Sequence, residues 1–187
     1  MVNPLLERAP PKVFAERGQI IEKKEKLELF PRLSEVVGGD LRRLAGESMP
    51  AAWRQSPVAI RLAFGWADTA HDIPVLEGQA AVDVPAVCQR CLEAFELVLE
   101  TDLRLLFSGP GRSVDESLDY EVWELEEPLL RPLDVIDEAL VMAMPLAAMH
   151  VSEEDCGPLA GKAKVEEEAQ VRPFADLRAQ MQTRDRD

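Results

Sequence analysis

VPAVCQRCLEAF, residues 84–95, is the stretch on which the fold turns. Upstream of it, Val82, Val84 and Ala86 alternate with Ala81, Asp83 and Pro85 over a run that spans residues 73–87. Downstream, in FELVLETDLRLLF (95–107), Phe95, Leu97, Leu99, Leu103 and Leu105 keep one parity. Period-two alternation marks strands with one buried face, so two such runs in succession predict an antiparallel pair. Cys88 and Cys91 then sit together at the hairpin end. Gly78 and Pro85 predict a bulge or an edge position in the first strand.

Working outward, VAIRLAFG (58–65) is a third strand, with Val58, Ile60, Leu62 and Phe64 on its buried face. Residues 19–29 read as an edge strand. Leu33, Val36 and Val37 after Pro31 predict a short helix stopped by Gly38-Gly39, and residues 41–56 offer another helical piece. Residues 1–18, with Pro4, Pro10 and Pro11, read as a loose lead-in. Beyond the hairpin, SGPGRS lacks the G-K-[ST] ending that places lysine and hydroxyl on phosphate, so it is a turn and not a phosphate loop. A short strand at Tyr120, Val122 and Trp123 follows. Asp134, with Asp137 three residues on, predicts a capped helix over 134–144 with the stripe Ile136, Ala139, Leu140, Ala143 and Met144, ended by Pro145. Met142, Met144 and Met149 read as adaptable packing. Residues 157–187 read as a mobile tail. Within it RPFADLRAQM, with Phe174, Leu177 and Met181 on one face, forms a short docking helix.

These elements predict one α+β domain over residues 19–156, with a mainly antiparallel sheet that curls toward a barrel, a packed helix and flexible ends. A chain of 187 residues, 47% hydrophobic, suffices for one such core. The net charge is −14, and it is uneven. Residues 1–57 hold 10 basic and 8 acidic side chains, leaving 11 basic against 27 acidic in residues 58–187. Such a surface repels nucleic-acid phosphate, so contact with RNA is local or indirect. The basic clusters that remain are Arg42, Arg43 and Arg54, and Arg172, Arg178, Arg184 and Arg186; each also suits ordinary solvated surface. DESLDYEVWELEE (115–127) has seven carboxylates and no base. Asp119, Glu121, Glu124 and Glu126 around Tyr120 and Trp123 suit a basic protein partner, such as a ribosomal protein; the plain alternative is a solvated face. No window reaches the roughly 18 apolar residues of a membrane span. Three cysteines and a start unlike a secretory signal point to a reducing compartment, and the expected location is the cytoplasm.

Cys88 and Cys91, with His150 and Cys156 of MPLAAMHVSEEDCG, supply the four ligands of a tetrahedral zinc site. The first half is a good knuckle, while H-x5-C is looser than the usual pairs. Against zinc stands the reading that the cysteines are small reduced apolar residues and His150 a surface imidazole. A redox dithiol should open a helix, whose N-terminus lowers the thiol pKa, and this C-x-x-C lies between strands. A nucleophile pairing Cys88 or Cys156 with His150 or His71 lacks an orienting third group and an oxyanion hole. The expectation is a chain that is not an enzyme.

VCQRCLEAFELVLETDLRLLF, the acidic spacer, and PLDVIDEALVMAMPLAAMH with a Cys soon after resemble the YceD family of large-ribosomal-RNA-subunit accumulation proteins. The resemblance runs from about residue 19 to 156, and R-P-F-x-x-L is similar to a C-terminal motif of that family. It departs at Ala148, where members commonly carry a second proline. The resemblance implies a non-enzymatic role in synthesis, processing or stability of large-subunit (23S) rRNA. Joined to the charge, it implies action through a basic protein partner, or contact with RNA through the N-terminal part alone. The alternative is a small zinc-stabilised adaptor for a basic protein unrelated to ribosomes.

Overall fold

A computed structural model describes residues 3–42, 44, 52–70, 72–108, 119–125 and 127–156. Among the described residues, five strands form one open sheet in the order β1 (Ile20–Lys26), β2 (Pro57–Trp66), β3 (Pro74–Val87), β4 (Ala94–Ser108) and β5 (Glu121–Glu124). The first four pair antiparallel and β5 joins β4 in parallel. The fold is therefore α+β and mainly antiparallel. The sheet does not close into a barrel: β1 and β5 remain its two edges. Three helices, α1 (Pro11–Glu16), α2 (Pro31–Leu41) and α3 (Pro132–Met142), cover one face.

Alternation in the sequence becomes the core directly. Val58, Ile60, Leu62 and Phe64 of β2 are buried, as are Ala80, Val82 and Val84 of β3 and Leu99, Leu103 and Leu105 of β4. Ile136 and Leu140 of α3 meet them from above, fully buried in the same cluster. No bulge interrupts β3, whose registers with both neighbours are continuous. Gly78 serves a close approach instead: a Cβ there would lie 2.3 Å from the Arg61 carbonyl oxygen. Pro85 is tolerated because β3 outruns β2, whose pairing ends at Ala81, so no partner strand asks for its missing N–H.

Three further expectations are corrected. The lead-in is folded from residue 3: Pro4 and Pro11 stand at the first positions of short helical turns, where a missing N–H costs nothing. Leu5 and Phe14 are fully buried, and the Phe14 ring stacks on Phe64 with centroids 4.8 Å apart. Helix α2 runs through Gly38-Gly39 to Leu41, because Leu33, Val37 and Leu41 form one buried stripe whose packing outweighs the roughly 1 kcal/mol that each glycine costs. Val36 faces outward. The helix α3 starts at Pro132 and ends at Met142, two residues before the expected Met144, and Asp134 pairs with Arg131 and does not cap it.

Asp137 belongs to a different cap. It is 2% exposed, and its carboxylate accepts the backbone N–H groups of Arg32 (3.0 Å) and Leu33 (2.9 Å). The first turn of α2 has no side-chain cap of its own, so α3 supplies one from more than a hundred residues away. SGPGRS beyond Ser108, residues 45–51 of the second helical piece, and the tail 157–187 with its docking helix lie outside the described residues.

Candidate metal centre

Where β3 ends, the chain turns through 88–93 on two backbone hydrogen bonds, Cys88 N–H to the Glu93 carbonyl (3.0 Å) and Leu92 N–H to the Cys88 carbonyl (2.8 Å). Leu92 closes the turn in the left-handed region, at φ 60°. The turn places both thiols inward, and Cys88 and Cys91 are fully buried. Left-handed backbone disfavours a side chain by about 1 kcal/mol, and Leu92 is 62% exposed, with little packing to lose. Leu92→Gly is therefore expected to raise stability by about 0.5–1 kcal/mol, read as an upward shift of the denaturant midpoint.

The segment after α3 returns across this turn as a strap. Gln89 N–H donates to the Ala148 carbonyl (2.9 Å), and the Arg90 guanidinium donates to the carbonyls of His150 (2.6 Å) and Ser152 (3.4 Å) and pairs with Glu153 (3.5 Å). The position without a second proline, Ala148, is thus held by a backbone bond. A short 3-10 turn, Glu153–Asp155, capped by Ser152, takes up the length of H-x5-C and brings Cys156 back to His150.

The four predicted ligands meet. Their ligating atoms all lie within 4.8 Å of one another. Cys88 Sγ is 3.9 Å from Cys156 Sγ, and His150 Nδ1 is 3.6 Å from Cys91 Sγ and 3.5 Å from Cys156 Sγ. A tetrahedron with metal–sulfur bonds of about 2.3 Å and a metal–nitrogen bond of about 2.0 Å has edges of about 3.5–3.8 Å. The cluster fits a four-coordinate metal ion. For Nδ1 to ligate, the ring proton must sit on Nε2. Phe95 packs on the imidazole at 4.7 Å between centroids, tilted by 41°.

Electrostatics support the same set. Burial raises the Cys88 pKa, but backbone N–H groups of Cys91, His150 and Arg90 outweigh it and hold the thiol down at about 5. Burial, with hydrogen bonds from the sulfur to Cys88 and Cys91, pushes Cys156 up to about 11. The centre thus holds a thiolate beside a thiol that a metal would deprotonate. Arg90 places a cation against the excess negative charge of three sulfurs.

The acidic stretch is arranged differently. Asp119 pairs with Arg104, whose guanidinium also lies 5.2 Å from the Tyr120 ring centroid. The Tyr120 hydroxyl donates to Glu77 at 2.6 Å. Trp123 is half-buried against the core, while Glu121 and Glu124 are exposed. Glu126 lies outside the described residues, as do His71 and Arg43. Arg42 and Arg54 lie over the last turns of α2, and Arg54 stacks on Trp53, 4.5 Å from the ring centroid. Sequence reasoning missed Arg90 and Leu92, and read Asp137 as part of the cap of its own helix. Of the two missed, only Arg90, inside the C-x-x-C, carried a positional signal.

An open, one-sided α+β sheet with a Cys3His cluster clasped to a hairpin end is the class of protein that the fold and site define. The family model described as "Large ribosomal RNA subunit accumulation protein YceD" matches residues 76–179, more than half of the chain, and the chain belongs to that family. A protein of Haemophilus influenzae with the same printed name is 29% identical over 86 residues, covering 42% of this chain and 47% of that protein. The match spans about half the length of that relative. No solved structure matches the chain.

Proposed function

We propose that this chain is a non-enzymatic factor in the accumulation of large-subunit (23S) rRNA, acting through a basic ribosomal protein, with zinc held by Cys88, Cys91, His150 and Cys156. The observation that carries the role is membership of a family described as large ribosomal RNA subunit accumulation proteins. Four protein ligands leave no open coordination position, the arrangement of structural zinc and not of catalytic zinc. Zinc then staples the strap 148–156 to the hairpin.

Charge supports the mode of action. With 27 acidic and 11 basic residues in 58–187, the surface attracts a Lys/Arg-rich protein and repels phosphate. The carboxylates of Asp119, Glu121, Glu124 and Glu126, with Tyr120 and Trp123 among them, are the proposed contact. Among the described residues no helix is long and apolar enough to cross a membrane. The proposed place of action is the cytoplasm, where ribosomal precursors are assembled.

Co-sedimentation from lysate at two salt concentrations, with and without nuclease, tests the reading. The expected result is recovery of large-subunit proteins that survives nuclease and weakens with salt. Neutralising Asp119, Glu121, Glu124 and Glu126 to their amides is expected to reduce recovery by roughly tenfold and to flatten the salt dependence. Recovery abolished by nuclease and unchanged by the amides would make RNA the direct ligand. Recovery of a basic protein foreign to the ribosome would make the chain a zinc-stabilised adaptor of another pathway.

A further inference from the structure

Beside the metal centre, where β3 has outrun β2, a cleft of about 370 Å³ opens. Its aromatic walls are Trp53 and Phe95, both half-buried, and its acidic rim is Asp83 and Glu96, both exposed. Asp83 is one residue before core Val84, and Glu96 stands opposite Pro85 across the β3–β4 ladder. Neither carboxylate has an ion-pair or hydrogen-bond partner among the described residues, whereas Asp119 is already paired with Arg104.

Aromatic faces beside unpaired carboxylates select a flat, delocalised cation. A guanidinium stacks on the rings and offers several N–H donors to the carboxylates, which a compact ammonium does less well. Trp53 already accepts a guanidinium, since Arg54, which does not line the cleft, stacks on its ring. Phe95, which lines the cleft, also packs on His150 of the strap, so the cleft adjoins the metal centre.

We propose that the cleft between Trp53 and Phe95 is a binding site for an arginine side chain presented by a basic polypeptide. This deepens the reading of a basic protein partner and rests on it. The cleft adds an arginine-specific contact at the hairpin end to the proposed contact at the acidic stretch, whose charge also supplies the long-range field that draws the partner in.

The test is an NMR titration of the full zinc-loaded chain with the blocked tripeptide acetyl-Gly-Arg-Gly-amide and its citrulline analogue, which keeps the shape and removes the charge. Saturable shifts are expected at the Trp53 indole N–H, assigned with Trp53→Phe, and at the amides of Ala94, Phe95 and Glu96. Binding of the citrulline peptide is expected to be weaker by roughly tenfold, as is binding of arginine by the Asp83→Asn/Glu96→Gln variant. Both substitutions are on the surface and leave the core intact, and the amide spectrum verifies the fold. Equal shifts with arginine and citrulline, unchanged affinity in the double variant, or shifts confined to residues 119–125 would overturn the proposal. If the cleft fails while ribosomal proteins still co-sediment, the proposed function stands without it. If arginine binds and no ribosomal component is recovered, the function falls and the site remains.

Discussion

Cys88→Ser is expected to lower the thermal unfolding midpoint by 10 °C or more, about 4 kcal/mol for a chain of this size. Cys88 is fully buried and collects the backbone N–H donors of the turn, so serine loses a metal ligand and leaves those donors facing a weaker acceptor. A strong chelator should lower the wild-type midpoint by a similar amount and leave that of Cys88→Ser unmoved. An unchanged variant midpoint would show that the cluster does not stabilise the fold. Acid should act in the same direction. In the metal-free centre the depressed Cys88 pKa of about 5 contributes stability that is complete above the usual thiol range near 8.5 and lost as pH falls toward 5. Metal binding must in addition expel the proton of Cys156, raised to about 11, so apparent zinc affinity falls as pH is lowered.

Asp137→Ala is the second large effect. The substitution leaves the N–H groups of Arg32 and Leu33 without their acceptor at a buried helix start, and cuts the polar tie between α3 and α2. Loss of about 2–4 kcal/mol is expected by chemical denaturation. Asp137→Asn keeps an acceptor oxygen and should recover part of it. A loss below about 0.5 kcal/mol for the alanine variant would show that solvent caps α2 equally well.

The hairpin and the buried faces of β2 and β4 were legible because each rests on a local signal, and the clustering of Cys88, Cys91, His150 and Cys156 was reached by counting soft side chains and not by spacing. Alternation positions Val58–Phe64 and Leu97–Leu105, and the C-x-x-C marks its own turn. What escaped depended on distant partners. Asp137 has the spacing of a local capping box, yet its acceptors turn to α2, a pairing that no window around residue 137 contains. Gly38-Gly39 has stop-signal chemistry, and only the burial of Leu41 beyond it keeps the helix going. The lead-in looked loose because prolines dominate it, whereas Leu5 and Phe14 needed β2 and α3 in place to show their burial. The acidic stretch looked uncompensated because Arg104, which pairs with Asp119, lies on β4.

In the proposed function Cys88, Cys91, His150 and Cys156 share one zinc ion. X-ray absorption at the zinc edge, on protein purified without chelator, tests it most directly. One zinc per chain is predicted, with three sulfur neighbours at about 2.3 Å and one nitrogen at about 2.0 Å. Substoichiometric zinc, or a shell of nitrogen and oxygen alone, would contradict it.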